Sequence, residues 1–261
     1  MRGDIFARKK MNAFVFLGVL ILVTLVAIVM TEYNVAKGFT SIPKAVHWGF
    51  SNFYPNGESF RKLPDIMMKL KETVLVSIAA TSAGAVFALV FAIFGAHTTR
   101  FNAVLGGISR GIATVFRNID VAAWALILLF SFGQNVMTGY FALFFGSFGY
   151  LTRAFIETID EVSGGSVEAL RATGAGYFHI VFQSVIPSSI PQMISWILFM
   201  IETNIRQATL VGILTGTGIG FAFNLYYKSM NYHTASLVVV AIVIAILFIE
   251  YISNYVRRAI L

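Results

Sequence analysis

Long runs of apolar residues are the feature that most restricts how this chain can fold. The first, Met11–Met30, is a stretch of 20 residues without a charge. About 20 such residues cross a bilayer as a helix. Because the hydrocarbon interior offers no water to backbone N–H and C=O groups, only helices and closed barrels span it. The chain is 57% hydrophobic and 12% charged, against about a quarter charged in soluble domains. These features predict an all-α membrane protein.

About six such runs are predicted to be transmembrane helices. They are Met11–Met30, Thr73–Ala96, Phe101–Phe132, Val136–Ile159, Ser184–Ile205 and Thr234–Val256. The third run is too long for one simple span, and the polar residues Arg117-Asn118-Ile119-Asp120 interrupt it. We therefore expect a broken helix at this point.

The predicted spans fall into two segments. Residues 1–71 contain an N-terminal anchor helix and an external polar loop, and residues 72–261 form one helical bundle. The first apolar run is longer than the core of a signal peptide. It is followed by Thr31-Glu32-Tyr33, which offers no cleavage site. We expect the anchor to be retained.

Basic residues at both ends predict the orientation. An even number of spans places the termini on one side, and Lys9, Lys10, Arg257 and Arg258 favour the cytoplasm. The basic residues behind the net charge of +7 then serve to orient the spans and to contact anionic lipid. We therefore do not expect nucleic acid as a partner. Against this rule, the Glu32–Glu72 loop carries six basic residues on the predicted outer side.

Several kinds of chemistry lack the residues that they need. The chain has no cysteine, and its four histidines have no paired spacing, so we expect no metal centre. The glycines between Gly212 and Gly220 have no P-loop lysine beside them, which argues against a nucleotide site. No acid, base and nucleophile combine into an enzyme site. We expect neither catalysis nor a cofactor.

The polar segment between the fourth and fifth spans, residues 163–191, has the pattern of a short amphipathic helix. Ser166 is placed to cap its start, which puts Glu168 in the first turn, where the helix dipole favours a carboxylate. Pro187 and Pro191 are expected to limit how far the helix continues. Such a helix either binds a partner or lies on the lipid surface.

The same segment resembles the EAA motif of ABC importer permeases. Glu168-Ala169-Leu170 is followed by Gly174, and Pro187 falls at the proline of the motif. Gly174, which has no Cβ, would allow another backbone to approach closely. Three positions depart from the usual residues of the motif: Leu170, Ser184 and Ile186.

Further runs are similar to phosphonate permeases of the PhnE type, and the resemblance covers roughly Thr73 to the C-terminus. The similar runs are Phe116–Ile119, Trp124–Leu126, Glu168–Ala175, Glu202–Thr209, Leu210–Gly212 and Gly218–Phe221. Asp120 stands where that family usually has proline.

The resemblance implies a permease subunit of a type I importer with a MetI-like core, situated in the cell membrane. Two permease chains would form the channel, two cytoplasmic ATPase subunits would hydrolyse ATP, and an external binding protein would deliver the ligand. The implied cargo is a phosphonate or a related phosphorus oxyanion, such as phosphate or phosphite. The polar segment would be the coupling helix, seated in a groove of the ATPase. Its coupling residues would be Glu168, Ala169, Leu170, Arg171, Gly174 and Pro187.

Two polar groups inside predicted spans are candidates for a translocation path or gate. Arg117, Asn118 and Asp120 interrupt the third span, and ionisable residues at membrane depth usually face a cavity or a partner. Arg117 would attract an anionic substrate. The alternative is a solvated loop near the outer interface.

The second polar group lies in the fifth span. Glu202 and Arg206 are four residues apart and can pair along one helix face, whereas Asn204 points elsewhere and can bond across helices. A gate and an internal pair that closes the bundle are both open readings of this group.

Two other functions stay open at this stage. The same machine could carry methionine or another organic ion, because the binding protein would select the ligand. A stand-alone secondary transporter would bind substrate at the bilayer midplane without an ATPase, and the EAA-like segment argues against it. The permease could pair with itself or with a sister chain.

Overall fold

The computed structural model describes residues 2–260. Every regular element in that range is helical, which confirms the predicted all-α class. The helices are α1 (Arg2–Met30), α2 (Val35–Asn52), α3 (Leu63–Gly95), α4 (Ala103–Asn118), α5 (Val121–Phe132), α6 (Val136–Ala172), α7 (Tyr177–Ile180), α8 (Ile186–Thr215), α9 (Gly218–Lys228) and α10 (Tyr232–Ile260). A 3₁₀ turn at Ser59–Lys62 precedes α3, and a π-helical turn at Val181–Val185 joins α7 to α8.

The chain divides into two compact units after Phe53. The first contains α1 and α2, and the second contains α3 to α10. The sequence places this boundary at residue 71. In the structure, the residues just before that position form the first turns of α3, which continues without a break to Gly95. The compact second unit begins at Tyr54, and the domain boundary at residue 71 stays a prediction.

Within the described residues, four helical stretches are long and apolar enough to cross a membrane. These are Lys9–Met30, Ser59–Gly95, Tyr177–Thr215 and Tyr232–Ile260. The pair α4 and α5, bent by 90°, adds a fifth if the two helices are counted as one span, and the predicted break in the helix is confirmed. The remaining predicted span, the fourth, corresponds to α6, which begins at Val136 as expected but is not apolar enough to be counted with the others.

Helix α6 is less apolar because it lies at the centre of the second unit. It packs against α3, α4, α5 and α8. Between Thr138 and Asp160 its only exposed residue is Glu157. Its threonines, serines and glycines therefore face other helices instead of lipid, and small residues allow helices to approach closely there.

Two helices approach each other closely where α4 ends against α6. A Cβ added to Gly149 would lie 2.5 Å from the backbone nitrogen of Arg117 and 2.7 Å from the carbonyl carbon of Phe116. No other residue type fits that space, since every other side chain begins with a Cβ. Gly149 thus allows the end of α4, with Arg117, to pack directly on α6.

Asn204 joins three helices in the core of this unit. It is fully buried, and its Nδ2 donates hydrogen bonds to Thr81 Oγ1 on α3 at 2.8 Å and to Ser147 Oγ on α6 at 2.6 Å. Both hydroxyls donate in turn to carbonyls of their own helices, those of Ser77 and Leu143. Their lone pairs are therefore free to accept from the amide. This is the bond across helices that the sequence predicts for Asn204.

We expect Asn204→Ala to lower the free energy of unfolding by about 1–2 kcal/mol, because interhelical hydrogen bonds in membranes contribute about 0.6 kcal/mol each and the truncation leaves a cavity. Unfolding of the purified chain in mixed micelles measures the change. Asn52→Ala is the matched control, since the side-chain hydrogen bond of Asn52 is exposed and stays within its own helix, to the Trp48 carbonyl. Equal effects of the two substitutions would contradict the role of Asn204.

Candidate functional site: the polar segment after α6 and the bend between α4 and α5

The polar segment does not form a separate helix. Helix α6 continues past the predicted end at Ile159 and runs without interruption to Ala172. The predicted cap at Ser166 is therefore wrong, and Glu168 does not lie in a first turn. Ser166 Oγ instead accepts a hydrogen bond from Ser184 Oγ at 2.9 Å. This bond holds the end of α6 against the π-helical turn that precedes α8.

A glycine-dependent turn ends α6. Gly174 has a φ of +78°. Its N–H donates to the Arg171 carbonyl at 3.0 Å, and the N–H of Ala175 donates to the Leu170 carbonyl at 3.1 Å. This is the Schellman pattern of a helix C-terminus, which glycine favours because it tolerates positive φ. Within the described chain no atom lies within 4 Å of the position of a Cβ at Gly174, so the predicted close approach of a backbone would have to come from a partner chain.

Hydrogen bonds connect the segment to the loop between α3 and α4. The guanidinium of Arg171 donates to the Thr98 carbonyl at 2.7 Å. Asp160 Oδ1 accepts from the backbone N–H of Thr98 at 3.0 Å and from its hydroxyl at 3.1 Å. The loop between α3 and α4 therefore holds α6 both at Asp160 and in its last turn.

One face of the segment is buried and the other is exposed. Val167 is 1% exposed and packs in the core with Ile180 and Val185. On the opposite side Phe178 is 70% exposed. We call this the outer face and define it by its exposed residues. They are Glu168, Ala169, Arg171, Phe178, His179 and Phe182.

The prolines do not end the helical path that leaves the segment. It runs from Tyr177 to Thr215, with Pro187 in the first turn of α8 and Pro191 inside that helix. The prediction that they limit the helix is wrong. The π-helical turn just before Pro187 changes the hydrogen-bond spacing where proline lacks an N–H, which relieves the usual clash.

At the bend between α4 and α5, two of the three predicted path residues form hydrogen bonds with nearby backbone groups. Asp120 caps α5, with its carboxylate accepting from the N–H of Ala122 at 2.8 Å. The side-chain amide of Asn118 donates to the Thr114 carbonyl at 2.8 Å. Both groups satisfy backbone ends that the break would otherwise leave unpaired.

Arg117 lies at an open cavity of about 270 Å³ that it lines with Thr114, Asn118 and Arg153. Arg153 Nε also pairs with Glu157 Oε1 at 2.6 Å. Arg153 lies outside every motif that the sequence offers for a functional site. Its signal is the presence of an arginine inside the fourth predicted span, where an ionisable group is costly. The cavity thus brings together two guanidinium groups that are distant in the sequence.

Glu202 connects α8 to α10. Its carboxylate, whose side chain is 13% exposed, pairs with Arg206 at 2.6 Å, which confirms the predicted pair, and lies 3.8 Å from Arg257. Asn204, the third member of this predicted group, is buried against α3 and α6. These contacts link α8 to α10 within the bundle.

Comparison with known proteins agrees with this architecture. Residues 84–260 match the family model described as "Binding-protein-dependent transport system inner membrane component". The chain is 25% identical over 250 residues to the phosphate-import permease protein PhnE of Mycolicibacterium smegmatis, an alignment that covers 96% of this chain and 47% of that protein. It is 28% identical over 189 residues to the phosphite transport system permease protein PtxC of Stutzerimonas stutzeri, covering 72% and 69%.

The fold is similar to that of a solved transporter subunit. An inward-facing structure of the MetNI methionine ABC transporter superposes with a TM-score of 0.66 at 20% identity, covering 75% of this chain and 96% of that one. The chain spans about half the length of the M. smegmatis relative. The family model covers most of the chain. The chain therefore belongs to the family of binding-protein-dependent transport system inner membrane components.

Proposed function

We propose that the chain is the permease subunit of an ABC importer for a phosphorus oxyanion such as phosphate, phosphite or a phosphonate. Family membership supports the importer class, and the names of the mycobacterial and S. stutzeri relatives support the cargo. The observation that carries the proposal is the exposed outer face. The opposite side of the same segment is buried in the core at Val167, and Arg171 is hydrogen-bonded to the Thr98 carbonyl. ATP hydrolysis would take place on separate cytoplasmic ATPase subunits.

The remaining partners follow from the same proposal. An extracytoplasmic binding protein would deliver the ligand, and a second permease chain, identical or a sister, would complete the channel. The chain would cross the cell membrane several times with both termini in the cytoplasm, in keeping with Lys9, Lys10, Arg257 and Arg258. The outer face would then point to the cytoplasm, where the ATPase lies.

The outer face has the geometry of a docking surface that transmits movement. Glu168 and Arg171 offer charges, and Phe178 offers an aromatic ring that is exposed to solvent. An exposed helical face with apolar and charged residues suits binding in a groove of a partner. Because α6 continues from this face into the core without a break, displacement of the face would move α6 as a rigid body. We assign Ala169, Leu170, Gly174 and Pro187 to the shape of this surface.

The cavity beside the α4–α5 bend is the best candidate for an anion path. Arg117 and Arg153 supply two permanent positive charges there, since guanidinium groups stay protonated. Two guanidinium groups suit the oxygens of a phosphate-like anion, which they bind with paired hydrogen bonds. Asn118 and Asp120 would hold the bend, while Glu202, Asn204 and Arg206 would hold the bundle around it.

We expect Glu168→Lys to reduce ligand-stimulated ATP hydrolysis and uptake by about tenfold or more, because reversal of one charge in a docked pair costs more than about 1.4 kcal/mol. The assay uses proteoliposomes with the ATPase and binding protein. Glu161→Lys is the matched control, since it reverses an exposed charge two turns earlier on α6. Wild-type activity of Glu168→Lys, or equal losses in both variants, would refute the docking role.

We expect Gly174→Ala to lower the free energy of unfolding by about 1–2 kcal/mol, because a residue with a Cβ is strained at positive φ. Gly176→Ala is the control, since Gly176 has a φ of −70° and open space around it. Thermal unfolding in detergent measures both changes. Loss of stability in the Gly176 variant alone would contradict the assigned turn.

We expect Arg117→Ala and Arg153→Ala each to reduce uptake of phosphate or phosphite severalfold while the ATPase remains bound. Loss of one guanidinium removes part of the attraction for an anion, whereas Arg258→Ala, an exposed arginine at the end of α10, should have no effect. Radiolabelled uptake and co-purification of the ATPase are the two readouts. Equal loss of uptake and of ATPase binding would indicate a structural role instead.

A further inference from the structure

Helix α2 is an amphipathic helix with an unpartnered apolar face. It begins after a cap in which Asn34 Oδ1 accepts from the N–H of Lys37 at 2.9 Å, and it continues to Asn52. No residue between Val35 and Asn52 is buried. At about 1.5 Å per residue the helix is about 27 Å long. A helix of this length with no buried residue needs a partner for its apolar side.

The apolar residues of α2 recur at helical spacing and form one stripe. Its members are Val35, Phe39, Ile42, Val46 and Phe50, all of them exposed. Spacings of three and four residues place these side chains on one face of a helix. Phe50 is 84% exposed. Exposure of such a row of large apolar side chains to water would be unfavourable.

The opposite face carries the charge. Lys37 and Lys44 lie about half a turn away from the stripe, and the sequence of α2 contains no acidic residue. Residues on this side are Lys37, Thr40, Ser41, Lys44, Trp48 and Ser51. A positive polar face opposite an apolar stripe is the pattern of helices that lie in a membrane interface, where lysines meet lipid phosphates.

Chain continuity places α2 beside the bilayer. Helix α1 contains a membrane span that ends at Met30, and α2 begins five residues later at Val35. Five residues reach at most about 17 Å when fully extended. The connection is shorter than that because the chain turns at Glu32, which has a φ of 52°. There the N–H of Tyr33 donates to the Ile28 carbonyl, which closes the end of α1.

We propose that α2 is an interfacial helix, with its apolar stripe in the acyl region of the adjacent leaflet and Lys37 and Lys44 among the headgroup phosphates. The occupant of the stripe is lipid and not another protein chain. Lys37 and Lys44 lie on the predicted outer side, although basic residues in short loops favour the cytoplasmic side. An interfacial position would give them the anionic phosphates of lipid headgroups as partners. The inference does not depend on the proposed cargo.

The test uses the absence of cysteine from the chain. Single cysteines at Phe39, Ile42 and Val46 on the stripe, and at Lys37, Ser41 and Lys44 on the polar side, carry a nitroxide in full-length protein. All six positions are exposed, so the labels disturb no packing. The protein is reconstituted in nanodiscs of phosphatidylethanolamine and phosphatidylglycerol. Collision rates with oxygen, which enters lipid, and with a water-soluble nickel chelate are measured at each position. Leu22→Cys in α1 is the lipid reference.

We expect oxygen collisions to dominate at the three stripe positions, close to the Leu22 reference, and nickel collisions to dominate at the three polar positions. The ratio should alternate with a period of about 3.6 residues. Nickel collisions on both faces would show that α2 is in water and would overturn the proposal. Low rates for both reagents on the stripe would show that protein covers it, which would also overturn the proposal.

Discussion

The need to satisfy every backbone polar group without water controls the architecture of this chain. Wherever a helix bends or ends, a local cap, turn or hydrogen bond satisfies the backbone groups that would otherwise be unpaired. Asp120 caps α5 at the 90° bend, Gly174 closes the end of α6 with two backbone hydrogen bonds, and a π-helical turn precedes Pro187. The bend and the turn are therefore fixed structural features, and the candidate path and docking surface are built on them.

Helix α6 physically connects the two candidate sites. It contacts the end of α4 at Gly149, carries Arg153 at the cavity one turn later, and carries Glu168 on the outer face. From Gly149 to Glu168 a continuous helix spans about 29 Å at about 1.5 Å per residue. A partner that moves the outer face would therefore move the wall of the cavity, with no flexible joint between them.

The sequence is sufficient for the helical class, the break between α4 and α5, the Glu202–Arg206 pair and the cross-helix bond of Asn204, because each depends on local spacing or on a strong membrane constraint. It fails where distant contacts override local propensity. Ser166 predicts a helix start, yet burial of Val167 and the bond from Ser184 to Ser166 favour one long helix. The other residues that line the cavity of Arg153 come from α4, so the place of Arg153 at this cavity depends on the fold.

Ligand-stimulated ATP hydrolysis tests the central claim most directly. The chain is assembled in nanodiscs with its cognate ATPase and binding protein, and phosphate, phosphite, an alkylphosphonate and methionine are compared. Stimulation by a phosphorus oxyanion and not by methionine is the predicted result. Stimulation by methionine alone would contradict the proposed cargo, and failure of folded subunits to form an ATPase complex would contradict the assignment as an importer permease.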